Sequence, residues 1–202
     1  MRFHSDRREP LPFQPLHLAL ALFLCVAPSA CIPDGDAGEP DTEVPDAGAG
    51  DEPGAEGEAY LAAHNTVRAE ASPTPSPALA PLTWSAQAVG VAQAWADNCR
   101  FEHNAGRGNL GENLSASTRE DAPAQVVEAW SSEAPDYDYA QSSCAAGKVC
   151  GHYTQLVWRE TQAVGCASAR CTRDSPFSGF STWYLYVCNY APPGNFVGER
   201  PY

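Results

Sequence analysis

Six of the chain's eight cysteines lie between Cys99 and Cys188, and no other feature limits the fold as strongly. So many cysteines in a chain of 202 residues fit a disulfide framework made in an oxidising compartment, because cytosolic thiols are kept reduced. The other two, Cys25 and Cys31, stand in a leader. Arg2, Arg7 and Arg8 precede an apolar run from Leu16 to Val26, and small residues follow it. The run is too short to span a bilayer, which takes about 20 apolar residues. A basic start, an apolar stretch and a small-residue end describe a secretory signal peptide. Residues 1–31 are therefore read as leader. The end, Pro28-Ser29-Ala30-Cys31, is similar to a bacterial lipobox, with Pro28 where a Leu is usual. Cys31 is the expected lipidation site, and a lipidated Cys31 would hold the protein at a membrane surface.

Residues 32–58 are read as a disordered acidic linker. They hold ten acids, no Lys or Arg and no aromatic residue. Such a segment buries too little apolar surface to offset chain entropy, and its charge keeps it extended. This linker accounts for most of the net charge of -13. Residues 59–202 carry nine bases against thirteen acids. The mild acidity and the lack of clustered Lys and Arg argue against nucleic acid as a partner.

The folded domain is expected over residues 59–202. Tyr60 to Ala71 reads as a helix, ended by Pro73, Pro75, Pro77 and Pro81. A second helix is expected from about Ser85 to Cys99, with Trp84, Ala88, Val91 and Trp95 on its inner face. A third covers about Ala122 to Ala134, with Val126, Val127 and Trp130 inward. A short helix is expected near Tyr153–Trp158. Strands follow at about Ala163–Cys171 and Thr182–Asn189; in the second, Trp183, Leu185 and Val187 share a face. Helices followed by strands indicate an α+β fold rather than a doubly wound parallel sheet.

Six cysteines allow fifteen pairings. Cys144 and Cys150 bracket a short loop and can close on each other. If the last two strands pair antiparallel, Cys166 can lie opposite Cys188. Cys171, five residues from Cys166, then points to the other face, where a helix ending at Cys99 can meet it. The expected bridges are Cys99–Cys171, Cys144–Cys150 and Cys166–Cys188.

Four strings carry a more specific signal. They are His64-Asn65-Thr66-Val67-Arg68, Gly111-Glu112-Asn113-Leu114, Gly151-His152-Tyr153-Thr154-Gln155-Leu156-Val157-Trp158, and Cys188-Asn189-Tyr190-Ala191-Pro192-Pro193-Gly194-Asn195-Phe196. In this order they resemble the signature motifs of the CAP superfamily: cysteine-rich secretory proteins, antigen 5 and the group 1 pathogenesis-related proteins of plants. The stretch Tyr137–Trp158 and the ending Pro-Pro-Gly-Asn to Arg-Pro-Tyr are most similar to the plant group. The resemblance implies a three-layer α-β-α sandwich around a small, mostly antiparallel sheet, with a further strand near Glu112–Ser117. It implies the same three disulfides. It also implies a cleft holding His103, Glu112, Glu133 and His152.

The histidines themselves point the same way. His4 and His17 lie in the leader, which leaves His64, His103 and His152 in the domain. Two imidazoles and two carboxylates suit a divalent metal, Zn²⁺ above all, ligated by His103 and His152 with Glu112 and Glu133 orienting them. A metal-free hydrogen-bond network is the other reading. His64, with Asn65 and Arg68 at helix spacing, is expected to make hydrogen bonds within the fold, and Tyr153, Gln155 and Trp158 to pack. The resemblance implies a monomeric, non-catalytic binding module for lipid or sterol-like ligands, exported to the cell envelope or beyond and defence-like or antimicrobial. A metal-dependent hydrolase or peptidase using the same cleft is the alternative, although no HExxH or GxSxG motif is present.

Overall fold

A computed structural model describes residues 52–202. The segment read as a signal peptide, with Cys25 and the expected lipidation site Cys31, and most of the segment read as a linker lie outside the described residues. The elements are α1 (Ala55–Ala69), β1 (Thr83–Trp84), α2 (Ala86–Ala96), β2 (Gly111–Ser117), α3 (Pro123–Ser131), a 3₁₀ turn (Ala134–Asp136), β3 (Tyr137–Asp138), β4 (Ser143–Cys144), α4 (Gly151–Leu156), β5 (Ala163–Cys171) and β6 (Trp183–Ala191). Helix α1 thus begins inside the segment read as linker. Glu56 and Glu58 favour its first turn, because the helix dipole places partial positive charge there. Gly57 sits beneath Trp84, where a Cβ would come within 2.8 Å of the indole.

The main sheet has the order β1-β5-β6-β2. The β5–β6 and β6–β2 pairs are antiparallel, and the two-residue β1 runs parallel to β5. A separate small ladder joins β3 to β4. Helix α2 covers one face of the sheet and α1, α3 and α4 the other, which makes the three-layer α-β-α architecture. The strand at Gly111–Ser117 is the one the family resemblance implied near Glu112–Ser117; periodicity showed neither it nor the two-residue strands β1, β3 and β4.

Alternation along β6 sorts the core. Trp183, Leu185 and Val187 pack with Ala92, Ala96, Leu114 and Ala167 under α2. Tyr186, Cys188 and Tyr190 pack with Tyr60, Val126, Val127 and Trp130 on the opposite side. The buried stripe of α2 is Ala88, Ala92 and Ala96, not the expected Trp84, Ala88, Val91 and Trp95. Gly165 gives the reason. A Cβ there would stand 2.3 Å from the Val89 backbone nitrogen and 2.5 Å from the Ser85 carbonyl, so the helix backbone rests directly on β5. Only small side chains fit along so close an approach, and Val91 and Trp95 are displaced to its margins. Ser85 caps the helix by accepting from the Ala88 N–H at 3.2 Å, as N-cap serines do.

The bridges are Cys99–Cys171, Cys144–Cys150 and Cys166–Cys188. Cys166 and Cys188 are cross-strand partners. Cys171 leaves β5 on the α2 side, where Cys99 just beyond that helix meets it. In the loop-entropy view a bridge closing so long a loop contributes about 4 kcal/mol.

Candidate functional site: two histidine–glutamate pairs

Each histidine of the expected cleft is tied to its own glutamate. His103 Nδ1 donates to Glu112 Oε1 at 2.8 Å, and His152 Nδ1 donates to Glu133 Oε1 at 2.5 Å. The glutamates are held in the same manner. Glu112 Oε1 also accepts the Asn104 backbone N–H at 2.9 Å, and Asn189 Nδ2 lies 3.4 Å from Oε2. Glu133 Oε2 accepts the backbone N–H groups of His152 and Tyr153 at 2.9 and 3.1 Å. Those two amides belong to the first turn of α4, so Glu133 caps from outside a helix that lacks a side-chain cap of its own. The N-terminal position suits a carboxylate.

The elements explain the placement. Glu112 is the second residue of β2 and its side chain is fully buried, whereas the His103 side chain is 61 % exposed. Glu133 was expected within the third helix, but α3 ends at Ser131 and Glu133 stands in the turn before the 3₁₀ segment. Trp130, the last aromatic of α3, stacks on the His152 ring, with centroids 6.2 Å apart and planes 16° off parallel. Its indole N–H donates to the Leu114 carbonyl at 3.0 Å. Asn113 neighbours Glu112 on β2, so the two side chains leave opposite faces of the strand. Asn113 Nδ2 donates to the His152 carbonyl and contacts the Tyr190 hydroxyl, both at 3.1 Å.

This arrangement is two oriented imidazoles rather than a closed cage. Among the described residues, no three of His103, Glu112, Glu133 and His152 bring their ligand atoms within 4.8 Å of one another. With Nδ1 occupied by a carboxylate, the neutral ring keeps the Nε2 lone pair available. That is the donor a divalent metal takes, and the carboxylate partner raises its basicity. The donor set fits Zn²⁺, which accepts His nitrogen and leaves remaining positions to water or a ligand.

The third domain histidine is built differently. His64 is fully buried; Nδ1 donates to the Tyr60 carbonyl at 2.7 Å, and Nε2 accepts from the Tyr190 hydroxyl at 3.0 Å. Burial pushes its pKa down to about 4, so the ring is neutral. It lies near Cys166 and Cys188, but those sulfurs are bridged and both ring nitrogens are engaged, so the trio cannot ligate. Asn65 exchanges hydrogen bonds with the backbone of Leu82. Buried Arg68 donates to the carbonyls of Ala80, Leu156, Trp158 and Thr161. Tyr153, Gln155 and Trp158 are buried packing residues.

Sequence reasoning did not single out Asn113, Trp130 or Asn189 as parts of the site. A signal existed for Asn189, which interrupts the otherwise apolar strand β6, because a buried amide must find partners.

The family model for the cysteine-rich secretory protein family, CAP, matches residues 61–190. Pathogenesis-related leaf protein 4 of Solanum lycopersicum is 40 % identical over 143 residues, covering 71 % of this chain and 81 % of that protein. Peptidase inhibitor 16 of Bos taurus is 42 % identical over 141 residues, 69 % of this chain, but the match spans only 30 % of that longer protein. The crystal structure of NaASP2 with Zn²⁺ superposes with a TM-score of 0.59 at 25 % identity, covering 82 % of this chain and 90 % of that one. Motif order, sheet topology, disulfides and paired histidines thus meet in one conclusion: the chain belongs to the cysteine-rich secretory protein family, the CAP family.

Proposed function

We propose that this protein is an exported, non-catalytic binding module whose cleft takes a divalent cation, Zn²⁺ first, on His103 and His152. The observation that carries this reading is the pairing of each Nδ1 with a carboxylate, which fixes both rings and leaves both Nε2 atoms free. The relative crystallised with Zn²⁺ supports it. Glu112 and Glu133 act by orienting the imidazoles. All six domain cysteines are in bridges, so none is available as a thiol nucleophile, which weighs against the hydrolase alternative. The pathogenesis-related names of its relatives support a defence-like or antimicrobial role.

The partner we propose is a lipid or sterol-like molecule. A groove of about 520 Å³ lies between α1 and the 3₁₀ turn, with Val67, Ala71, Ala134, Tyr137 and Tyr153 among its walls. That volume is within the range of small-molecule sites. Further parts of the proposal are a monomer, no nucleic acid partner, and attachment to a membrane surface through lipidated Cys31. Mass spectrometry of the mature N-terminus tests the anchor.

Calorimetric titration of the exported protein with Zn²⁺ tests the cleft. The His103→Ala/His152→Ala double variant is expected to keep the fold and lose binding. Unchanged Zn²⁺ affinity in that variant would overturn the site. Hydrolytic turnover that disappears in Glu133→Gln would establish the catalytic alternative instead.

A further inference from the structure

We infer that the free edge of β5 is a strand-addition site for an extended peptide that alternates cationic and apolar side chains. Strand β1 covers this edge only at Ala163 and Val164. The chain then leaves the sheet at Ser85, the cap of α2. On that side the carbonyls of Gln162 and Val164 accept from the N–H groups of Thr83 and Ser85, at 2.9 and 3.0 Å. Backbone groups of successive strand residues turn to alternate sides. Those of Cys166 and Ser168 therefore face the same way, where no strand pairs with them among the described residues. The Ser168 carbonyl meets the Gln93 side-chain amide at a long 3.4 Å. Arg170, exposed further along the same edge, bounds the open stretch.

The stretch is the floor of a groove of about 510 Å³, with Glu52 and Glu56 on the wall at the start of α1 and Ala86 and Val89 on the wall of α2. The charges on those walls select the occupant. Glu52 and Glu56 are exposed and stand in no ion pair among the described residues, and no Lys or Arg lines the groove. Two unbalanced carboxylates attract a cation. Helices α1 and α2 lie on opposite faces of the sheet, and the side chains of an added strand alternate between those faces. One set would meet Glu52 and Glu56, and the other Ala86 and Val89. Main-chain hydrogen bonds to Cys166 and Ser168 supply affinity, and the alternation supplies selectivity. The partner is thus an extended, basic peptide continuing the line that β1 leaves at Trp84.

The test is fluorescence anisotropy of the labelled peptide acetyl-Val-Lys-Val-Lys-Val-amide, titrated with the exported protein in the presence of a chelator, so that the outcome is separate from that of the Zn²⁺ titration. Saturable binding with a Kd of about 100 μM is expected. The Glu52→Gln/Glu56→Gln variant should bind about fivefold more weakly, as two exposed ion pairs are worth together. The same peptide N-methylated along its backbone keeps its charge but loses its donors, and should bind the natural protein about tenfold more weakly. A peptide with Glu in place of Lys should not saturate. Amide hydrogen exchange at Cys166 and Ser168 should slow on binding, which attraction to an acidic rim alone would not cause. Absence of saturable binding, equal affinity of the N-methylated peptide, equal affinity in the double variant, or exchange unchanged at both amides would overturn the inference. The N-methylated comparison uses the natural protein and so stands even if the double variant fails to fold.

Discussion

The two faces of the β5–β6 sheet bury similar strands by different means. Under α2, contact is backbone against strand, with Ala88, Ala92 and Ala96 as spacers and the Cys99–Cys171 bridge at the end. Under α1, α3 and α4, the layer holds His64, Arg68, Asn113, Gln155 and Tyr190, all buried and all hydrogen-bonded. The first face tolerates no change of volume, because dense packing leaves no room to relax. The second tolerates no unpaired polar atom, because burial without a partner is costly. The second also holds two of the three domain histidines. His64 and His152 lie on it with Trp130 near both, at 6.3 and 6.2 Å between ring centroids. Burial holds His64 neutral and its carbonyl and hydroxyl partners close it; a carboxylate partner and 28 % side-chain exposure leave His152 open.

The contrast can be broken in measurable ways. The largest effect is expected from Arg68→Met on the polar face. It removes donors from the carbonyls of Ala80, Leu156, Trp158 and Thr161, and the loss should be roughly 4 kcal/mol by urea denaturation. A loss under 1 kcal/mol would show that the polar layer does not depend on its satisfied carbonyls.

On the packed face, Gly165→Ala forces a Cβ into the α2 backbone and should cost about 3 kcal/mol. Gly90→Ala is the matched control on α2 itself, with nothing within 4 Å of the added Cβ. It should stabilise by about 1 kcal/mol, the helix preference of Ala over Gly. Equal effects at the two glycines would remove close approach as the explanation.

A smaller effect than either loss of packing or of donors is the pH dependence of His64. Its folded pKa of about 4 lies below the ordinary 6.5, so the unfolded chain binds the extra proton first as pH falls. Stability from this group is complete above about pH 6.5 and declines as pH drops towards 4. Between pH 7 and pH 5 the loss should be about 2 kcal/mol. His64→Gln should flatten that part of the profile. An unchanged slope in the variant would assign the acid sensitivity to other groups.

Much of this was legible in the sequence for a physical reason. Val126, Val127 and Trp130 sit at helical spacing, and Trp183, Leu185 and Val187 alternate, so one-sided burial wrote itself into the pattern. Cysteine separations carried geometry, since five residues along a strand reverse the face. The four motif strings carried His152 and Glu112. The start of α1 at Ala55 was hidden because Gly57 and the acids around it have the composition of a linker; only Trp84, 27 positions away in sequence, makes that glycine part of a core. The inner stripe of α2 was misjudged because volume, not hydrophobicity, selects it.

The sequence by itself determined the α+β class, the two long strands β5 and β6 and the inner face of α3, since these follow from local periodicity. Tertiary structure decided which partner each histidine has. Glu112 and His103 are nine residues apart and Glu133 and His152 nineteen. No local preference brings such pairs together; the turn after α3 and the edge of β2 do. A histidine's chemistry depends on what its second nitrogen touches, and that contact exists only once the sheet and its two helical layers have closed.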